Sequence, residues 1–132
     1  MVTGSCLCGS VKFAVSECSM DIYKCHCSLC RKNFGGASSA ATFVDQANFS
    51  WLEGEENIRR FELRPTYIKQ FCGTCGSVLP GLIPGRSTFW VPAGLFDEDP
   101  GVPLTQHIHV DSKAEWEVLD DQLGRLSGSI EF

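Results

Sequence analysis

At 132 residues the chain has the size of one domain, with no room for a second of ordinary size. With 43% hydrophobic and 20% charged residues it falls in the globular range, which excludes a mostly disordered or low-complexity chain. The formal net charge is −5 with histidines neutral, so the molecule repels polyanions and nucleic acid is not expected as its main partner. That charge is uneven: residues 97 to 132 carry nine acids and two bases, leaving the first three quarters mildly basic.

No stretch approaches the roughly 18 apolar residues of a membrane span, and the opening residues lack a basic segment followed by an apolar one. Neither membrane insertion nor secretion is expected, and the expected location is cytoplasmic. Eight cysteines are then unusual. In a reducing compartment close-spaced cysteines are more often metal ligands or redox groups than structural disulfides, so an intracellular metalloprotein is the leading class.

In chain order, Cys6-Leu7-Cys8-Gly9 comes first, followed by Val11, Phe13 and Val15 alternating with Lys12 and Ala14, the period of a strand with one buried face. Cys18 stands alone and reads as a small buried hydrophobe. Cys25-His26-Cys27-Ser28-Leu29-Cys30 follows, with a helical turn expected after Cys27. Further short β-leaning runs cover residues 40–44, 67–71, 87–91 and 105–110. Glycine and proline between them block any long helix. Short helical pieces are expected near Asp45 to Asn48 and over Lys113 to Leu119, and the run from Gly124 to Phe132 reads as a loose tail. Phe34, Phe43, Trp51, Phe89 and Trp90 are core or cleft wall.

Cys6 and Cys8, and Cys72 and Cys75 in Cys72-Gly73-Thr74-Cys75-Gly76, each place two thiolates in one tight turn followed by glycine, which accepts positive φ as the backbone folds under a metal. Together they form one closed tetrahedral zinc site of structural character; paired disulfides or free thiols are the alternative. Cys25, Cys27 and Cys30 differ, because three thiolates arrive from six consecutive residues. Residues 25 and 27 of an extended segment share a face, and a turn through Ser28 and Leu29 returns Cys30 to them. Three protein ligands with an exchangeable fourth position is the pattern of a catalytic zinc, which binds water, polarises a carbonyl or holds a thiolate. His26 faces away from its flanking cysteines if the segment is extended, though it is an alternative fourth ligand. Arg31 and Lys32 follow directly, where positive charge offsets a trithiolate and assists anion binding. His107 and His109 alternate around Ile108 on one expected strand face, as structural histidines or as proton-transfer groups.

Gly4-Ser5-Cys6-Leu7-Cys8-Gly9, Cys25-His26-Cys27-Ser28-Leu29-Cys30-Arg31-Lys32 and Phe71-Cys72-Gly73-Thr74-Cys75-Gly76-Ser77 together resemble the glutathione-dependent formaldehyde-activating enzyme family, which also includes centromere protein V. The resemblance extends through Gly54 to Phe61 and His107 to Trp116, covering about residues 4 to 121. It implies a mainly β, β-tent-like fold of several antiparallel sheets with short helical turns. It also implies a structural zinc on Cys6, Cys8, Cys72 and Cys75 and a catalytic zinc on Cys25, Cys27 and Cys30, two Zn2+ per chain. The family reaction joins glutathione and formaldehyde to give S-hydroxymethylglutathione, and its class is carbon–sulfur lyase. Cys18 and the segment from Asp120 to Leu126 depart from the family pattern.

The expected protein is therefore a single mainly β domain over residues 1–132, a zinc-dependent carbon–sulfur lyase or synthase acting on a small, glutathione-like thiol. A non-catalytic zinc module that binds protein, and a zinc or redox sensor using Cys25, Cys27 and Cys30, are the competing functions.

Overall fold

Short β-leaning runs separated by glycine and proline pair into three sheets in the computed structural model, which describes residues 1–130. The strands in chain order are β1 (Val2–Ser5), β2 (Lys12–Val15), β3 (Ile22–Cys25), β4 (Ser39–Asp45), β5 (Phe49–Glu53) and β6 (Ile58–Arg64). They continue with β7 (Tyr67–Cys72), β8 (Val78–Leu79), β9 (Gly81–Leu82), β10 (Thr88–Pro92), β11 (Leu104–Ile108) and β12 (Gly124–Arg125). One α-helix, α1 (Ser28–Phe34), and four 3-10 turns complete the described elements. Among the described residues no helix is long and apolar enough to cross a membrane.

β1, β2 and β5 form one sheet; β12, β11, β3, β4, β10 and β9 form the large central one; β6, β7 and β8 form the third. The mainly β, multi-sheet expectation holds. The pairing is not antiparallel throughout, however: β11 runs parallel to both β3 and β12. The chain leaves β10 and returns to β3 from the same end, where Ile22 N–H donates to the Pro103 carbonyl, and only a parallel register is then open to β11.

Alternation along β4 and β10 sorts side chains onto the two faces of the central sheet. Val44, Phe89 and Val91 join Phe13, Val15 and Phe49 in one core against the first sheet, with the Phe49 and Phe89 rings stacked at 3.9 Å. Ala41 and Phe43 join Tyr23, Cys25, Cys30 and Ile108 on the opposite face, with Trp90 packed against them. Because both faces are covered, β4 is a nearly continuous apolar run rather than an alternating one. Ala14 of β2 is buried with its neighbours as well, so that strand is covered more fully than a single apolar face implies.

Two expected features take other forms. Lys113 to Leu119 is not helical: its apolar residues have no 3.6 period, and one turn closes from Glu117 N–H to the Ala114 carbonyl, with Lys113 Nζ donating to the carbonyls of Ala114 and Glu117. The segment from Gly124 is not a loose tail through Ile130. β12 pairs with β11, and backbone bonds join Leu126 to His107 and Val110 and Gly128 to His109. The last two residues of the expected tail, 131–132, lie outside the described residues.

Gly54 couples the turn after β5 to the loop after β1. Its φ is +79°, and an added Cβ would collide with the Ser10 backbone carbonyl. Gly54→Ala is therefore expected to destabilise by more than about 2 kcal/mol, beyond the left-handed backbone cost alone, measured as the urea midpoint. A loss below 1 kcal/mol would show that this approach is slack.

Candidate metal centres and active-site cleft

The loop between β1 and β2 and the turn between β7 and β8 bring Cys6, Cys8, Cys72 and Cys75 together, with all four sulfurs within 4.8 Å of one another. Gly9 and Gly76 follow the second cysteine of each pair with φ of +80° and +78°, the conformation that folds the chain back under its sulfurs. Sulfurs bonded at about 2.3 Å to a tetrahedral ion lie about 3.8 Å apart. The Cys6–Cys8 and Cys8–Cys72 separations are 3.6 and 3.9 Å, so the donor set has the dimensions of a closed four-thiolate site.

Thiolates so close together need donors around them, and the fold supplies these from distant positions. Ser10 Oγ lies 3.1 Å from Cys8 Sγ and 3.3 Å from Cys72 Sγ, and Asn57 Nδ2 donates to Ser10 at 3.3 Å. Val11 N–H donates to Cys6 Sγ, and the Thr74 and Cys75 N–H groups donate to Cys72 Sγ. Burial pushes the Cys72 thiol up, but Ser10 and these backbone donors bring it below its ordinary value. The Ser77 hydroxyl beside Cys75, 3.2 Å away, holds that thiol down at about 5. Ser77 also accepts from Leu7 N–H at 2.9 Å, tying the two cysteine turns together.

The second cluster is built by a helix start. Cys25 ends β3, and Cys27 caps α1 with extended backbone while its sulfur accepts from Cys30 N–H at 3.3 Å. Cys30 in the first turn thereby returns to Cys25 and Cys27, and the three sulfurs lie within 4.8 Å of one another. A hydrogen bond between Cys25 and Cys30 pushes the Cys25 thiol up and holds Cys30 down at about 5.

These three sulfurs open onto a cleft of about 560 Å³ lined by residues from the central sheet, α1 and the β6–β7 hairpin. Tyr23, Phe43, Leu79, Ile83, Trp90 and Ile108 give it an apolar wall, and Asn33, Tyr67 and Gln70 supply polar groups. Tyr67 Oη lies 3.8 Å from Cys30 Sγ and accepts from Asn33 Nδ2 at 3.4 Å. Burial and the neighbouring Cys30 raise the Tyr67 pKa, so its hydroxyl keeps its proton at neutral pH. Asn33 Oδ1 is buried without a protein partner. Of the aromatics singled out in the sequence, Phe43 and Trp90 are cleft wall, Phe89 and Trp51 belong to the first core, and Phe34 packs on Trp90.

Arg31 and Lys32 do not line the cleft. The helical advance of about 100° per residue turns them away from the face of Cys30, whereas Asn33, three residues on, shares it. His26 turns away from the sulfurs and its Nε2 meets His107 Nδ1 at 2.8 Å; both rings are buried. His107 Nε2 in turn meets Asp121 Oδ2 at 2.9 Å, and this partner holds the Asp121 carboxyl low. His109 does not share a strand face with His107. β11 ends at Ile108, and His109 adopts φ 54° ψ 39° before a 3-10 turn. Cys18 packs against the first core, away from both clusters.

The family model for "Glutathione-dependent formaldehyde-activating enzyme" matches residues 1–112. The chain belongs to the glutathione-dependent formaldehyde-activating enzyme family. A Halomonas elongata protein named "Putative glutathione-dependent formaldehyde-activating enzyme" is 30% identical over 124 residues, covering 88% of this chain and 79% of that protein. A crystal structure of a Rhodobacter sphaeroides protein matches with a TM-score of 0.62 at 25% identity, covering 78% of this chain and 99% of that one.

Ser10, Asn57, Ser77, Asn33 and Tyr67 escaped the sequence reading of this family member. Only Asn33 had a local signal, its spacing of three from Cys30 on a helix.

Burial, then the facing His107, pushes the His26 pKa below its ordinary value, so the unfolded chain binds the proton first. The resulting stability is complete above about pH 6.5 and lost as the pH falls toward the depressed folded value. Between about pH 7 and 5.5 the wild-type urea midpoint is expected to fall more steeply than that of His26→Gln, by at most the one-proton slope of about 1.4 kcal/mol per pH unit. Parallel curves would remove His26 from the acid response.

Proposed function

We propose that the protein is a zinc-dependent carbon–sulfur lyase or synthase that forms and breaks an adduct between a thiol and a small aldehyde. The observation that carries this reading is the row of three cysteine sulfurs on the wall of an apolar cleft, with the protonated Tyr67 hydroxyl 3.8 Å from Cys30. Cys25, Cys27 and Cys30 are the ligands of the reactive zinc, and Cys6, Cys8, Cys72 and Cys75 hold the structural one. A zinc on the three-sulfur set supplies Lewis acidity, which favours the thiolate form of a substrate thiol.

The chain's own groups account for the rest. In the synthetic direction the thiol sulfur bonds to the carbonyl carbon, the C=O double bond becomes single, and one proton ends on the oxygen. Tyr67 Oη donates to that oxygen and regains its proton from the one the thiol releases, so the net transfer is from sulfur to oxygen; the reverse direction runs the same two transfers backward. Asn33 Nδ2 orients the phenol, and the unpaired Asn33 Oδ1 accepts from the new hydroxyl, relieving a buried acceptor that otherwise costs about 1–3 kcal/mol. The apolar walls exclude water that would compete for the aldehyde. The family's named thiol, glutathione, and formaldehyde are the substrates to test first.

Elemental analysis is expected to find two zinc ions per chain. Cys30→Ser is expected to lose one with the fold retained, whereas Cys72→Ser loses the structural ion and, with metal binding worth on the order of 10 kcal/mol, the fold. Tyr67→Phe is expected to retain both ions while lowering the catalysed rate of adduct formation about 100-fold. A single zinc in the native protein, or full activity in Tyr67→Phe, would count against these assignments.

A further inference from the structure

Sulfurs that give up their protons to a cation need hydrogen-bond donors, and the two clusters are not equally supplied with them. At the four-sulfur site Ser10 Oγ stands 3.1 Å from Cys8 Sγ and Ser77 Oγ 3.2 Å from Cys75 Sγ, and backbone N–H groups serve Cys6 and Cys72. At the three-sulfur site Cys27 accepts from the Cys30 N–H at 3.3 Å, and Cys30 has the Tyr67 hydroxyl at the longer distance of 3.8 Å. Tyr67 is also the donor to the aldehyde oxygen in the reaction proposed above. While it serves that oxygen it does not serve Cys30.

A second hydroxyl stands beside the same sulfurs. Ser39 opens β4 directly opposite Cys25 at the end of β3, and paired residues of neighbouring strands put their side chains on one face of the sheet. The residue is wholly buried, and its Oγ has no hydrogen-bond partner among the described residues. A buried hydroxyl without a partner costs stability that alanine in the same place would not. The donor gains an acceptor when the neighbouring thiols ionise. Cys30 is that acceptor: Cys25 favours its thiolate most, then Ser39, then Tyr67, against the burial that opposes the charge. Tyr67 lines the cleft and Ser39 does not, so a ligand that draws the phenol away leaves the serine where it is.

We propose that Ser39 is a positioning residue of the three-sulfur site: its hydroxyl donates to the Cys30 sulfur in the metal-bound state and holds that sulfur while the Tyr67 proton is engaged with substrate. The inference rests on the zinc reading of Cys25, Cys27 and Cys30 given above. It divides the two hydroxyls by task, one directed at the ligand in the cleft and one at the sulfur from behind it.

The test is metal binding by the full chain in wild type, Ser39→Ala and Ser39→Thr. It is read by competition with a chelator for Zn2+ and by the thiolate-to-metal charge-transfer absorption of the Co2+-loaded protein. Ser39→Ala is expected to hold the weaker of its two ions about tenfold less tightly and to move the charge-transfer band to lower energy, with the four-sulfur ion unaffected. Ser39→Thr keeps the hydroxyl on a residue suited to a strand and is expected to restore both. A purely structural hydroxyl is separated from this one in the Cys30→Ala background, which has no sulfur at position 30. There Ser39→Ala is expected to leave the urea midpoint unchanged, because it removes a hydroxyl that has no partner. A second ion held equally by wild type and Ser39→Ala, with an unaltered band, overturns the role of Ser39 and leaves the zinc reading standing. A fall in the urea midpoint on adding Ser39→Ala to Cys30→Ala overturns that role as well. No second ion in the wild-type protein overturns the zinc reading and the role of Ser39 with it.

Discussion

Four cysteine sulfurs drawn within 4.8 Å of one another form the constraint on which the remaining architecture depends. As thiolates they repel, and only a bound cation with surrounding N–H and O–H donors makes their assembly favourable. Cys8 and Cys72 lie 64 residues apart, so joining them closes a loop whose entropy costs about 4 kcal/mol. The cluster also joins two sheets that share few other elements, since Cys6 follows β1 and Cys72 ends β7. The small core around it, with Val11 and Leu79, is too slight to hold them together unaided.

The strand that ends at Cys72 carries this constraint to the three-sulfur cluster. β7 begins at Tyr67, beside Cys30, and finishes at Cys72, inside the four-sulfur cluster. Six extended residues span about 17 Å, so the strand acts as a strut between the two sulfur sites. Displacing Cys72 therefore displaces Tyr67 and, across the hairpin, Arg64, which pairs with it. The four-sulfur cluster thus sets the position of the phenol that stands beside the three-sulfur cluster.

Much of this was legible because sulfur spacing is local information. Three cysteines in six residues require a turn wherever the chain goes, and Cys27 capping a helix that carries Cys30 is one realisation of it. Strands dense in β-branched and aromatic residues, such as β4 and β10, were readable for the same reason. β6 was not: Ile58–Arg64 is polar and largely exposed, and it is a strand because β7 pairs with it along its length. The donors to the thiolates were hidden more deeply, since Asn57 reaches Ser10 across 47 residues and no pattern around either announces the contact. His109 eluded the alternation rule because β11 stops one residue earlier and the backbone turns left-handed there.

The three-sulfur cluster owes its orientation to the parallel pairing that the sequence did not reveal. β11 lies beside β3 with Ile108 opposite Cys25, so two buried strands fix the point at which the chain leaves the sheet for α1. Past that point Cys25 and Cys27 turn to the cleft and His26 turns the other way, toward His107 and Asp121. The imidazole pair is consequently a bolt rather than a ligand set: it fastens the segment bearing the three sulfurs to the strand beneath it and to the chain leading into β12. A metal site assembled from consecutive residues is floppy unless something outside the site holds it, because three ligands on one short loop can rotate together. Here that support is a hydrogen-bond chain, from the buried His26–His107 pair out to Asp121, on the side away from the cleft. The cleft can then stay open to a ligand while the sulfurs that line it remain fixed.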